Sequence, residues 1–287
     1  MRADALVTGK DIFQRYLPWH LAVLAALAAA YYTTVSGMVF DWGHDENYSH
    51  GFIVPFIAGY FFWQNRKRIA EVTARPDIAG LLVVAAGVLA HILGRYIGEL
   101  FTMRMSLLVV LAGVVLVVYG RAMLRAVLLP LGYLAFMVPL PYIVYDSVAF
   151  PLKMQVSRLA VALMKLVHIP VVREGNVIDL PNLSLQVVDA CSGMRSLMSL
   201  LALSVAYAFI AIRAPWKRVV IVLSAVPIAV ATNVLRVFIT GVLARTFGRV
   251  AAEGFFHEFA GLAVFVIAMA LLILLGWVLN LVWRDHA

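Results

Sequence analysis

The sequence contains a single cysteine and few charged residues, and each scarcity excludes a class of protein. One cysteine in 287 residues cannot form a disulfide within the chain, so disulfide bonds do not hold this fold together. Charged residues make up only 13% of the chain, whereas 64% of its residues are hydrophobic. An average soluble domain has about twice that charged fraction. The composition therefore excludes a soluble globular domain and predicts a polytopic membrane protein.

Eight apolar segments are candidates for membrane-spanning helices. A helix needs about 20 residues to cross a hydrocarbon core of about 30 Å. The segments are about 17–40, 50–64, 79–97, 103–120, 123–140, 193–212, 218–243 and 258–283. The second is short and contains Pro55. We therefore predict an all-α polytopic membrane protein with about eight transmembrane helices, forming one integral-membrane domain over residues 1–287.

The positions of lysine and arginine predict the orientation in the membrane. Basic residues concentrate near both termini and in the connections 66–75, 121–125 and 213–218. Cytoplasmic connections are the ones enriched in Lys and Arg, so we place both termini in the cytoplasm. The net charge of +8 then lies on the inner side and reflects topology, not nucleic-acid binding. The polar start of the chain and its long first apolar run predict no cleavable signal peptide.

One sizeable insert, about 141–192, falls on the outer side. Apolar residues recur in it at spacings of four and three, which is typical of an amphipathic helix lying in the membrane interface. They are Leu152, Val156, Leu159, Leu163 and Leu166. Turns are predicted at 174–176 and 181–182, and the alternation over 183–187 predicts a short β element. This strand leads directly to Cys191.

Three chemically distinct polar residues lie at the edges of the last three apolar segments: Cys191, Arg236 and His257. The basic residues Arg213, Arg218 and Arg284 mark the inner ends of these three segments. A helix rises about 1.5 Å per residue, so Cys191, Arg236 and His257 lie roughly 33, 27 and 40 Å from Arg213, Arg218 and Arg284, respectively. Because the core is about 30 Å thick, all three reach the outer surface. A thiol, a guanidinium and an imidazole that meet there would form a nucleophilic site.

Each candidate suits one part of that chemistry. A helix N-terminus lowers the pKa of a thiol such as Cys191, and Arg195, one turn later, adds to the effect. Arg236 interrupts an otherwise apolar helix, with Asn233 on the same face, and a guanidinium fits the stabilisation of an oxyanion. His257 fits a general acid or base.

Simpler structural interpretations stay open for these residues. A lone cysteine in an apolar protein is often buried and inert, Arg236 is alternatively a snorkelling anchor, and His257 a polar cap. Asp189 either orients a catalytic group or belongs to a turn. The stretch 41–51 holds two histidines and three acidic residues. It is either a metal site or, as we favour, a solvated loop that shapes a substrate entrance, and we expect neither a metal nor a cofactor.

Five short motifs carry a family resemblance. They are Tyr48-Ser49-His50-Gly51, Ala190-Cys191-Ser192-Gly193-Met194-Arg195-Ser196-Leu197, Asn233-Val234-Leu235-Arg236, Phe256-His257 and Gly261. In their order and placement the chain resembles the exosortase/archaeosortase family of membrane-embedded sorting enzymes. The likeness covers nearly the whole chain, and the element 190–193 is its most specific part. Some exosortases carry an extra C-terminal soluble domain. We expect this chain to be a core-only form, with any such function supplied by a separate accessory protein.

The resemblance implies a thiol protease or transpeptidase at the periplasmic face of a bacterial inner membrane. Family members act on secreted proteins that end in a short motif, typically Pro-Glu-Pro in bacteria, followed by a transmembrane helix and a basic cluster. By this likeness Cys191 is the nucleophile, Arg236 stabilises the transition state and His257 is the acid or base. The partners implied are such secreted proteins and the lipid bilayer, with no nucleic acid.

Other function classes stay open at this point. A transporter with Arg236 as an anion site predicts polar residues at mid-depth in several spans, and the sequence has few. A non-catalytic component of exopolysaccharide export would tolerate loss of the thiol. A membrane acyltransferase also forms a thioester, so only its substrate distinguishes it.

Overall fold

The computed structural model describes residues 14, 16–181, 183–186, 194–247 and 255–283, without the side chains of 183, 185, 186 and 255–259. The chain divides into two compact units, residues 1–141 and 142–287. In the described ranges, six helices are long and apolar enough to cross a membrane, or up to seven when 121–137 and 142–166 are counted together as one span. The prediction of an all-α polytopic membrane fold is confirmed.

The first unit is made of six described helices and two short 3-10 helices. They are α1 (Leu17–His44), a 3-10 helix (Glu46–Phe52), α2 (Val54–Gln64), α3 (Arg66–Glu71), α4 (Ala79–Ile97), α5 (Leu100–Tyr119), α6 (Arg121–Tyr133) and a second 3-10 helix (Leu134–Met137). Two of the eight expected spans, 50–64 and 123–140, correspond to α2 and α6, with 11 and 13 residues. Neither is long enough to cross a membrane alone.

Close backbone packing holds α4 against α5. Gly80, Gly87 and Gly94 recur at every seventh position of α4 and are buried. A Cβ atom at Gly80 would lie only 2.5 Å from the backbone nitrogen of Val117 in α5. Small residues allow this close approach between helices, which is a common basis of helix association in membranes.

The second unit surrounds one long helix. Its elements are α7 (Tyr142–Leu166), β1 (Val172–Glu174), β2 (Val177–Leu180), β3 (Leu183–Gln186), α8 (Met194–Ala211), α9 (Pro215–Phe247) and α10 (Phe255–Val282). The central helix, α9, contacts α7, α8, α10 and β3. Its first half joins a core cluster with α8 and α10, and its second half joins another with α7 and β2.

The expected outer insert contains α7 and a three-stranded antiparallel sheet of order β1-β2-β3. The predicted strand over 183–187 is confirmed as β3. The two others were not predicted, because strands of three and four residues are too short to show alternation. Gly175, with φ of 62°, forms the turn between β1 and β2.

The predicted helix is confirmed as α7, and the C-terminal half of its predicted apolar stripe lies outside the protein core. Leu159, Leu163 and Leu166 are 46%, 38% and 75% exposed. Small residues such as Ala149 and Ala160 are fully buried instead. Packing between helices favours small side chains, which bring backbones together, and leaves large leucines to face outward.

Two basic residues at the start of α9 fix the neighbouring helix ends. Lys217 is fully buried, and its Nζ donates to the carbonyl of Trp283, at 2.6 Å, and to Oδ1 of Asn280, at 3.1 Å. Arg218 Nε donates to the carbonyl of Ile212, 2.9 Å away, just beyond the end of α8. Cations are favoured at helix C-termini, so this end of the α8–α9–α10 bundle is held electrostatically.

Candidate functional site

The structure describes some of the predicted site residues and not others. Cys191 and Asp189 lie outside the described residues. Arg195 is the second residue of α8 and is partly buried. His257 is the third residue of α10, where the backbone is helical and the side chain is outside the description.

Arg236 and Asn233 lie one turn apart on α9. Asn233 is 1% exposed, whereas Arg236 is partly buried. Arg236 is 21 residues along a helix that begins at Pro215, or roughly 32 Å. The helix continues beyond Arg236 to Phe247.

The guanidinium of Arg236 lies against the backbone of α10. A Cβ atom built on Gly261 would be 3.2 Å from Nη2, 3.4 Å from Cζ and 3.8 Å from Nη1 of Arg236. All three atoms of the guanidinium therefore lie in the space that a side chain at position 261 would approach. The charged end of a side chain from α9 is fixed at this level of α10.

This contact brings Arg236 close to the part of α10 that carries position 257. Residues four apart share a face of a helix, and they are separated by about 6 Å along its axis. His257 precedes Gly261 by four residues in α10. The structure therefore brings Arg236 to the face of α10 on which His257 lies, one turn away.

A partly buried guanidinium at membrane depth has a defined chemical use. Its donors are held in a rigid fork, it keeps its charge, and low surrounding polarity strengthens its interaction with an anion. It suits a carboxylate or an oxyanion that forms during a reaction. Gly261 is one of the motifs that carry the family resemblance, but the sequence does not indicate that Gly261 and Arg236 are in contact.

The motif that contains Tyr48 and His50 stabilises the first unit. Asp45 accepts hydrogen bonds from the backbone and side-chain nitrogens of Asn47, both at 2.9 Å, at the start of the 3-10 helix. Three side chains donate to carbonyls in 136–140: Trp42 to Met137 at 2.8 Å, His50 to Phe136 at 3.1 Å and Tyr48 to Leu140 at 3.4 Å. Gly51 is buried against the Trp42 indole, which leaves no room for a Cβ. The stretch 41–51 is therefore the end of α1 followed by a 3-10 helix, not the loop that we expected, and it packs through Trp42, Tyr48, His50 and Gly51 while Gly43, His44, Glu46 and Ser49 are exposed.

Burial lowers the pKa of His50, and hydrogen bonds to the backbone of Phe136 and Asn47 oppose this shift. A neutral imidazole that donates from Nε2 therefore fits the packed 3-10 helix. In the described part of the chain, no group of three or more His, Cys, Asp or Glu residues is placed to hold a metal ion.

A buried ion pair in the first unit was not foreseen. Arg104 of α5 is 5% exposed, and its Nη2 lies 2.6 Å from Oδ2 of Asp41 in α1. Both residues stood at the edges of predicted spans, but nothing in the sequence indicated that they pair. The partner explains how a charged residue is tolerated in this helix.

Comparison with known proteins decides the family. The family model described as transmembrane exosortase (Exosortase_EpsH) matches residues 42–274, well over half of the chain. The chain belongs to the transmembrane exosortase family. The matched range includes the 3-10 helix with Tyr48, the candidate Arg236 and its neighbour Gly261, so the resemblance drawn from the motifs is confirmed. Comparisons with curated proteins and with solved structures gave no match.

Proposed function

We propose that this exosortase is a cysteine peptidase or transpeptidase that cleaves C-terminal sorting signals of secreted proteins. The signal is a Pro-Glu-Pro-type motif followed by a transmembrane helix and a basic tail. The enzyme lies in the bacterial inner membrane as one catalytic domain, with both termini in the cytoplasm and its active site on the periplasmic face. A separate soluble protein would act as its accessory partner.

The observation that carries this proposal is the position of Arg236. Its guanidinium is partly buried in a membrane-spanning helix and lies against α10 at Gly261, one turn from position 257. An ionisable group at membrane depth marks function by default. The family match adds support for a sorting role.

The proposed reaction has two steps. The Cys191 thiolate attacks the scissile carbonyl, which forms a carbon–sulfur bond, while Arg236 stabilises the oxyanion. The carbon–nitrogen bond then breaks, and His257 gives a proton to the leaving amine. Water or an acceptor amine next attacks the thioester, loses its proton to His257 and releases the thiolate.

Three further residues support these groups in the proposal. Arg195 favours the thiolate form of Cys191, since it lies within the first turn of α8. Asn233 is buried one turn from Arg236 and helps to fix the α9 surface. Asp189 orients a catalytic group.

The first test is cleavage of a secreted reporter in a bacterial host. The reporter carries a Pro-Glu-Pro motif, a transmembrane helix and a basic tail, and cleavage is read as a size shift on a blot. We expect a shift with the wild-type enzyme and none with Cys191→Ala, because the variant lacks the nucleophile. Equal membrane levels of both proteins are the control.

Other outcomes would contradict specific parts of the proposal. An unchanged shift with Cys191→Ala would remove this residue as the nucleophile. No shift with either protein would contradict the proposed substrate and favour a non-catalytic role in export. A reporter whose motif is replaced by alanines should stay intact, and its cleavage would contradict recognition of the motif.

A further inference from the structure

Gly261 differs from the other closely packed glycines in what it accommodates. The three heavy atoms nearest to a Cβ at Gly261 all belong to the Arg236 guanidinium. At Gly80, by contrast, a Cβ would meet the backbone nitrogen of Val117 at 2.5 Å and the carbonyl oxygen of Gly113 at 2.8 Å. Gly80 allows two helix backbones to approach, whereas Gly261 makes room for a charged group.

Helix stability does not explain a glycine at this position. Glycine is unfavourable inside a helix relative to alanine, because it loses more backbone freedom on folding. Gly261 lies inside α10 in a regular helical segment, so nothing in the backbone there requires glycine. Among the described atoms, those that a methyl group at position 261 would meet first belong to the Arg236 guanidinium.

We propose that Gly261 is a positioning residue for Arg236, a role that rests on the proposed function. Without a Cβ at 261, the guanidinium can lie close to the α10 backbone, and this close approach sets its position along α10. The N–H donors of the Arg236 guanidinium are then directed to one position in the site. An oxyanion that forms at this position meets donors that are already oriented. Gly261 itself touches neither substrate nor reacting atoms.

A methyl group at 261 should therefore impair chemistry while leaving the fold intact. At 3.2 Å from Nη2, the new Cβ would move the guanidinium by a few tenths of an ångström. Small misplacements of catalytic groups reduce rates strongly. For Gly261→Ala we expect kcat to fall about 5–50-fold with KM within about twofold. The melting temperature should stay equal or rise, since alanine is the better helix former.

The experiment uses the full chain in lipid nanodiscs with a sorting-signal peptide as substrate. Cleavage by wild type and its loss in Cys191→Ala are established first, so failure of the proposed function is recognised separately. Gly276→Ala is the control, because Gly276 lies on the same helix as Gly261 but a Cβ there meets the side chain of Tyr207 in α8, not Arg236. That variant should keep the wild-type kcat even if its melting temperature falls.

A double-mutant cycle distinguishes positioning from general disruption. In an Arg236→Ala background the added methyl group meets no guanidinium, so Gly261→Ala should have no further effect on the single-turnover rate. An equal rate loss in both backgrounds, or wild-type kcat in Gly261→Ala, would overturn the proposal. If Gly261→Ala alone fails to fold, folding of the double variant supports the proposal, and failure of both contradicts it.

Discussion

Two arginines in apolar helices, Arg104 in the first unit and Arg236 in the second, have different surroundings. In the first unit, Arg104 is almost fully buried and pairs with the carboxylate of Asp41 at 2.6 Å. In the second unit, Arg236 is partly buried, and its guanidinium lies close to a helix glycine. The first arrangement pairs two opposite charges between helices, whereas the second places a guanidinium in the space that a glycine leaves on the neighbouring helix.

Glycines show the same difference between the units. Those of α4 allow helix backbones to touch, and a side chain at Gly80 would collide with the backbone of α5. Those of α10, Gly261 and Gly276, accommodate the ends of Arg236 and Tyr207 from neighbouring helices. A glycine in a membrane helix thus allows close backbone packing in α4 and accommodates the end of a polar side chain in α10.

The largest expected effect is the loss of cleavage rate when Arg236 is replaced, whereas replacement of Arg104 should mainly reduce stability. Arg236→Ala should lower the cleavage rate about 10²–10³-fold, the usual loss when an oxyanion donor is removed, with little change in melting temperature. Arg104→Ala should destabilise the protein by about 2–3 kcal/mol, because the partly buried Asp41 carboxylate loses its partner. Cleavage kinetics and thermal unfolding in the same detergent measure both effects.

Paired substitutions control for this contrast. Asp41→Asn with Arg104→Gln should recover part of the lost stability, since no charge remains unpaired. Arg236→Lys keeps the positive charge but loses the planar set of N–H donors, so its activity should lie between that of Arg236→Ala and wild type. The comparison fails if Arg104→Ala slows catalysis of fully folded protein as much as Arg236→Ala does.

A smaller effect is expected from the glycines of the first unit. Gly80→Ala forces α4 and α5 apart and should destabilise the protein by about 1–3 kcal/mol. Gly59→Ala is the matched control, because no described atom lies within 4 Å of a Cβ at that position. Thermal unfolding measures the difference, and equal stability of the two variants would contradict close backbone packing.

The smallest expected effect is a pH dependence from His50. Burial lowers its pKa in the folded protein below the ordinary value of 6.5. The unfolded chain therefore binds the proton more readily, so stability is full above about pH 6.5 and decreases as the pH falls through that value. His50→Gln keeps a donor for the Phe136 carbonyl and should flatten the profile of melting temperature between about pH 7.5 and 5.5.

The exposed His44 provides the control for this pH profile. His44→Gln should leave the slope of melting temperature against pH as it is in wild type. A slope that persists in His50→Gln would assign the titration to another group.

Much of the helical architecture could be predicted from the sequence because it depends on apolar length. The segment 79–97 is predicted at the bounds that α4 has. The expected span 50–64 instead forms the short helix α2, since its first residues belong to a 3-10 helix held by His50. Hydropathy does not reveal such side-chain contacts.

The candidate site was predictable in its residue types and less so in its contacts. Arg236 stood out as a charge in an apolar helix, and its height follows from helical rise. Its contact with Gly261 depends on how α9 packs against α10, which no local pattern encodes. The roles of Cys191 and His257 stay predictions from the family resemblance.

The most direct test of the central claim is detection of a thioester on Cys191. Enzyme and sorting-signal substrate are mixed, quenched with acid and analysed by mass spectrometry of the peptide that contains the single cysteine of the chain. We predict an adduct with the mass of the N-terminal substrate fragment, absent in Cys191→Ala and released by hydroxylamine. Substrate cleavage at full rate without any such adduct would contradict covalent catalysis by this residue.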